Sequence, residues 1–105
     1  MASTVTVLYP QIKEGEFFNM DYYVNTHMPI VTKLWKPHGL INWQVLKFGP
    51  DAPFYGGVIL NWEKEDDAQK ALDVQPAKTI LADVPNFTNL KPVLLPGVIT
   101  ASLVL

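Results

Sequence analysis

Between Asp21 and Val31 the chain reads DYYVNTHMPIV, placing two phenols and an imidazole, Tyr22, Tyr23 and His27, within six positions. Imidazole is the side chain best matched to proton transfer near neutral pH, and phenols can orient a carbonyl or a second hydroxyl. Such groups need no metal or cofactor to move a proton. Apolar residues at Met20, Tyr23, Val24, Met28, Val31, Leu34 and Trp35 recur at the helical period. His27 therefore shares the inward stripe with Tyr23, Val24 and Val31. Pro29 follows two residues later, lacks an N–H and crowds the preceding turn, which predicts a kink or break beside His27. A bend next to an inward imidazole suits the wall of a cavity. An inward histidine hydrogen-bonded within the core is the competing reading.

Other chemistries are excluded by inventory. There is no cysteine, which removes thiolate catalysis and disulfides. Serine occurs only at Ser3 and Ser102, and neither lies in a strand–turn–helix nucleophile elbow. The six glycines form no phosphate-binding loop. The histidines, His27 and His38, are eleven residues apart and without a metal-binding spacing. Neither a metal nor a cofactor is expected. His38, beside Gly39, is read as serving the last carbonyls of a helix.

The net charge is −2, and all eight basic residues are lysines, scattered from Lys13 to Lys91. Without arginine there is no bidentate clamp for phosphate, and no basic stripe exists, so nucleic acid is not an expected partner. No apolar run reaches the length of a membrane span and no leader pattern opens the chain. A soluble cytoplasmic protein without membrane association is expected.

The elements that must position these residues are legible from their bounds. TVTVLY, Thr4 to Tyr9, reads as a strand, and a helix capped by Asn19 ends near His38-Gly39. Ile41 to Phe48 and Phe54 to Trp62 are strands, the latter with a glycine pair, Gly56-Gly57, that marks a bulge or close backbone approach. Glu63 to Leu72 reads as a short helix. Pro76 starts further helical turns that bury Ala77, Ile80, Leu81 and Val84, and one or two strands close the chain. Residues 1–105 thus form one α+β domain, a ferredoxin-like βαββαβ arrangement with an antiparallel sheet. Trp43 and Val45 alternate with Leu46 and Phe48, so both sheet faces look apolar. Helices cover only one of them, which predicts a homodimer formed through the other.

Three segments resemble the EthD family: Tyr9-Pro10, FNMDYYVNTHMP from Phe18 to Pro29, and DVPNFT from Asp83 to Thr88. The resemblance spans roughly residues 5 to 92 and implies a dimeric α+β barrel. By resemblance His27, Tyr22 and Tyr23 match the family's first motif, and Asp83, Asn86 and Phe87 its second. Two features depart from the family pattern: Asn19 stands where aspartate is commoner, and the tail after Pro92 is long and apolar, fit to swap onto a partner or to lid a pocket. Fungal members are linked to aromatic polyketide pathways.

The resulting expectation is a cofactor-independent enzyme acting on a small hydrophobic, aromatic or polyketide molecule by acid–base chemistry, such as cyclisation, isomerisation or decarboxylation. His27, Tyr22, Tyr23, Asp83 and Asn86 are the candidate catalytic residues. Tyr9, Val24, Met28, Val31, Trp35, Trp43, Phe48, Leu60 and Phe87 are the candidate binding residues. A cofactor-free oxygenase and a non-catalytic ligand-binding protein remain as alternatives.

Overall fold

The computed structural model describes residues 2–105. Strand β1 (Ser3–Pro10) alternates strictly between buried and half-buried positions, as its β-branched sequence requires. The first helix, α1, is a composite of an α-helical turn (Met20–Tyr22), a π-helical turn (Tyr23–His27) and an α-helix (Met28–Trp35). A 3₁₀ turn (Lys36–His38) ends it at Gly39, whose φ of 103° is the left-handed cap that glycine allows. Strands β2 (Leu40–Lys47) and β3 (Phe54–Trp62) follow, then helices α2 (Asp67–Asp73) and α3 (Gln75–Ala82). After a 3₁₀ turn (Val84–Asn86) a single strand, β4 (Val93–Val98), completes the sheet. No helix among the described residues is long and apolar enough to cross a membrane.

The four strands are antiparallel in the order β2-β3-β1-β4. That is the expected ferredoxin-like α+β fold. Gly56 and Gly57 serve close approach: a Cβ on Gly57 would meet the carbonyl oxygen of Val7, and one on Gly56 that of Leu46.

The helices lie on one face of the sheet. Register places Trp43, Leu60, Val5 and Pro96 in one row of that face, and Val45, Val58, Val7 and Leu94 in the next. The opposite face is less apolar than the sequence pattern implies. One row there is Asn42, Asn61, Thr4 and Gly97; the next is Gln44, Ile59, Thr6 and Leu95; the third is Leu46, Gly57, Leu8 and Val93. Asn61 Nδ2 donates to Asn42 Oδ1 at 2.7 Å and to Gln44 Oε1 at 3.2 Å. The open face therefore grades from amide-rich to aliphatic. The alternation along β2 is as expected, but Asn42, Gln44 and Asn61 make one end of that face polar.

Candidate active site

The π turn decides which side chains of α1 reach the sheet. The Met28 N–H donates to the Tyr23 carbonyl five residues back, adding one residue to the turn. Tyr23, His27 and Met28 consequently all face inward, with fractional exposures of 1%, 4% and 1%. Val24 is exposed instead of lining the stripe, because the wider turn shifts the phase by one position. Pro29 has no donor to return to the ladder, so it suits the residue just after this irregularity. The expected kink takes the form of a π turn.

A second segment is tied to the start of α1. Phe18 and Thr88 form an antiparallel bridge, the Asn19 N–H donates to the Phe87 carbonyl at 2.7 Å, and Thr88 Oγ1 donates to the Phe17 carbonyl at 2.6 Å. Asn19 also caps α1, its Oδ1 accepting from the Tyr22 N–H at 3.0 Å. These bonds bring Asp83, at the end of α3, beside the π turn.

His27 Nδ1 lies 2.8 Å from Asp83 Oδ2. The other carboxylate oxygen, Oδ1, accepts from Tyr22 Oη at 2.8 Å and Asn86 Nδ2 at 2.9 Å. Burial alone would raise the Asp83 pKa, but the hydrogen bonds from Asn86, His27 and Tyr22 outweigh it and hold the carboxyl below its ordinary value. An ionised carboxylate only accepts, so the proton between the pair sits on Nδ1. Burial is also the largest influence on His27 and lowers its pKa, against the smaller opposing pull of Asp83. The ring is thus neutral at pH 7, and its Nε2 carries a lone pair. Among the described residues no protein group hydrogen-bonds that atom, and the ring lines a cavity. A neutral imidazole in a fixed tautomer has a lone pair able to accept a proton.

The imidazole is held between Tyr23, stacked at 5.4 Å and 13°, and Phe87 at 4.6 Å and 55°. Burial is the largest influence on both Tyr9 and Tyr23 and raises the pKa of each, so both phenols stay protonated; beyond burial, the two phenols influence each other. The Asp83 carboxylate holds the Tyr22 phenol above its ordinary pKa as well.

The cavity measures about 100 Å³ and lies between the helices and the sheet. Tyr9, Tyr23, His27, Met28, Val31, Trp35 and Leu60 all line it. Phe87 packs on His27 and does not line the cavity, and Tyr22 and Asn86 do not line it either but hydrogen-bond to Asp83. Trp43 is diverted elsewhere: its Nε1 donates to Thr32 Oγ1 at 2.9 Å. Phe48 lies past the end of β2, away from the cavity. Val5, Val7, Val58, Ala77 and Ile80 also line it; the strand alternation and the apolar side of α3 are the signals that point to them. Leu81, expected to be buried, is 50% exposed and borders the cavity at its rim. No group of three or more metal-ligating side chains occurs among the described residues.

No family model and no curated protein matches this chain. Solved structures do. An EthD-like protein from Ralstonia eutropha is 26% identical, with a TM-score of 0.76 over 95% of this chain and 93% of the other. An ethyl tert-butyl ether D (EthD) family protein from Bacillus halodurans is 23% identical, with a TM-score of 0.67 over 92% and 97%. Two enzymes share the fold at 12% identity: a hydroxynitrile lyase from Passiflora edulis (TM-score 0.61, 96% of each chain) and SnoaB, a cofactor-independent oxygenase from Streptomyces nogalater (TM-score 0.58, 99% and 95%).

Proposed function

We propose that this chain is an EthD-type, cofactor-independent enzyme that moves a proton on a small hydrophobic molecule held in the cavity beside His27. The observation that carries this reading is the His27–Asp83 pair. Its Nδ1–H tautomer leaves the other nitrogen, Nε2, unprotonated in a ring that lines the cavity. Asp83, oriented by Tyr22 and Asn86, would stabilise the imidazolium that forms when Nε2 takes a proton. The Tyr9 and Tyr23 phenols would supply the hydrogen bonds that a developing enolate or phenolate requires. Deprotonation of this kind opens isomerisation, cyclisation and decarboxylation.

The same first step activates an electron-rich phenol toward dioxygen, which keeps a cofactor-free oxygenase as the alternative. A purely ligand-binding protein would have the same cavity without needing the tautomer to be fixed. Membership of the family rests on the two EthD-like neighbours together with the DYYVNTHMP and DVPNFT segments.

Proton exchange tests this reading whatever the eventual product. Small ketones, aldehydes and nitriles with an acidic C–H are incubated with the protein in deuterium oxide and followed by NMR. The wild type should accelerate exchange of at least one of them over His27→Gln by about 100-fold or more. Equal rates for both proteins across the panel would remove His27 from any chemistry.

A further inference from the structure

The charge and size of the cavity restrict what enters it. None of the eight lysines and none of the carboxylates lies in its lining. Its walls are aliphatic on the sheet side, with Val5, Val7, Val58 and Leu60, and on the α3 side, with Ala77 and Ile80. Polar groups come only from Tyr9, Tyr23, His27 and Trp35. The rim is formed by Leu81 and Leu94, 50% and 37% exposed, so the entrance is apolar too.

We propose that the molecule taken here is neutral and no larger than about one six-membered ring, with a single polar group directed at His27. Two independent observations converge on that class. An aliphatic cavity of about 150 Å³ takes benzene, and this one measures about 100 Å³. A fused polycyclic ligand requires a pocket several times larger, on the order of 300 Å³ or more. A charged group entering such a lining would lose its hydration with no opposite charge to meet it. The four polar residues describe the single polar group further. They offer phenol and indole donors and one imidazole acceptor, which match a carbonyl or hydroxyl, and no lysine stands among them to neutralise a fully charged ligand on entry.

The orientation toward His27 rests on the acid–base reading above; the size and neutrality do not. Titration calorimetry and thermal denaturation of the full chain with phenol, benzaldehyde, benzoate and 2-naphthol separate the two. Phenol or benzaldehyde should bind and raise Tm. Benzoate, of the same shape but ionised at neutral pH, should bind about 30-fold more weakly or not at all. 2-Naphthol should be excluded by its second ring. Ala77→Leu, which fills the cavity from α3, should stay folded and lose phenol binding. His27→Gln should keep it within about tenfold, since glutamine still offers a hydrogen bond. Benzoate or 2-naphthol binding as tightly as phenol would overturn the proposal, as would failure of all four to bind. Binding retained by His27→Gln with no exchange activity in the wild type would instead sink the catalytic reading and leave this one standing.

Discussion

His27 Nδ1 and Asp83 Oδ2 stand 2.8 Å apart, joining a π turn of the first helix to the end of the third across 56 residues of sequence. The bond determines which imidazole nitrogen carries the proton. Asp83→Asn is isosteric and should reverse that choice. Tyr22 Oη and Asn86 Nδ2 both donate to Oδ1, so the new amide must place its oxygen there. Its NH₂ then faces Nδ1 and forces the proton onto Nε2, removing the lone pair that the proposed base requires. Turnover should fall by about 100-fold or more while the thermal transition stays cooperative. Wild-type turnover in Asp83→Asn would show that the tautomer is irrelevant.

The pH profile follows from the same pair. Burial holds the His27 pKa below its ordinary 6.5, so the acid limb of turnover should lie below pH 6.5. Stability should move with it. Between the folded value and 6.5 the unfolded chain binds more protons than the folded one, so stability rises with pH in that window. It is complete above 6.5 and is lost as pH falls. Asp83, held below its ordinary 3.8, adds a loss at still lower pH. Thermal melts from about pH 7.5 to about pH 4 should show a decreasing Tm; an increase on acidification through the ordinary histidine pKa contradicts this account.

Pro29→Ala tests the role of the π turn. Alanine restores an N–H that can donate to the Asn25 carbonyl and convert the turn to α-helix. Stability to urea should be equal or higher, because proline no longer interrupts the ladder. The phase of Tyr23 and His27 relative to Met28 should shift, weakening both phenol binding and turnover. Reduced stability with unchanged binding would make the turn a structural feature only.

Much of this is legible in the sequence, for physical reasons that differ by residue. Asn19, Gly39 and the β-branched run of β1 act locally, so their roles follow from type and position. The inward placement of His27 follows from the helical period. The outward placement of Val24 does not, because a π turn costs one residue of phase and no single residue type announces it. Asp83 as the partner of His27 depends on the Phe18–Thr88 bridge, a long-range contact that local propensity cannot register. Trp43 has the alternation of a cavity residue, yet its indole bonds to Thr32 on α1 instead. The second sheet face is harder to read, because Leu46 and Phe48 suggest an apolar surface while Asn42 and Gln44 share their strand.

The open sheet face gives an assembly prediction. Leu8, Leu46, Val93, Ile59 and Leu95 share it and have no helix above them. We propose that a second copy covers it, sheet against sheet. Light scattering at micromolar concentration should return twice the chain mass of 11.8 kDa. Ile59→Lys would bury an unpaired ammonium in such a dimer and should yield a monomer. A monomeric wild type excludes this arrangement.

Long-range ¹H–¹⁵N NMR of the His27 ring tests the central claim most directly, since it reads both nitrogens without a substrate. A neutral ring at pH 7, protonated at Nδ1 and bare at Nε2, with Nε2 shifting when phenol or benzaldehyde is added, is the predicted result. A proton on Nε2, or an imidazolium at that pH, would contradict it.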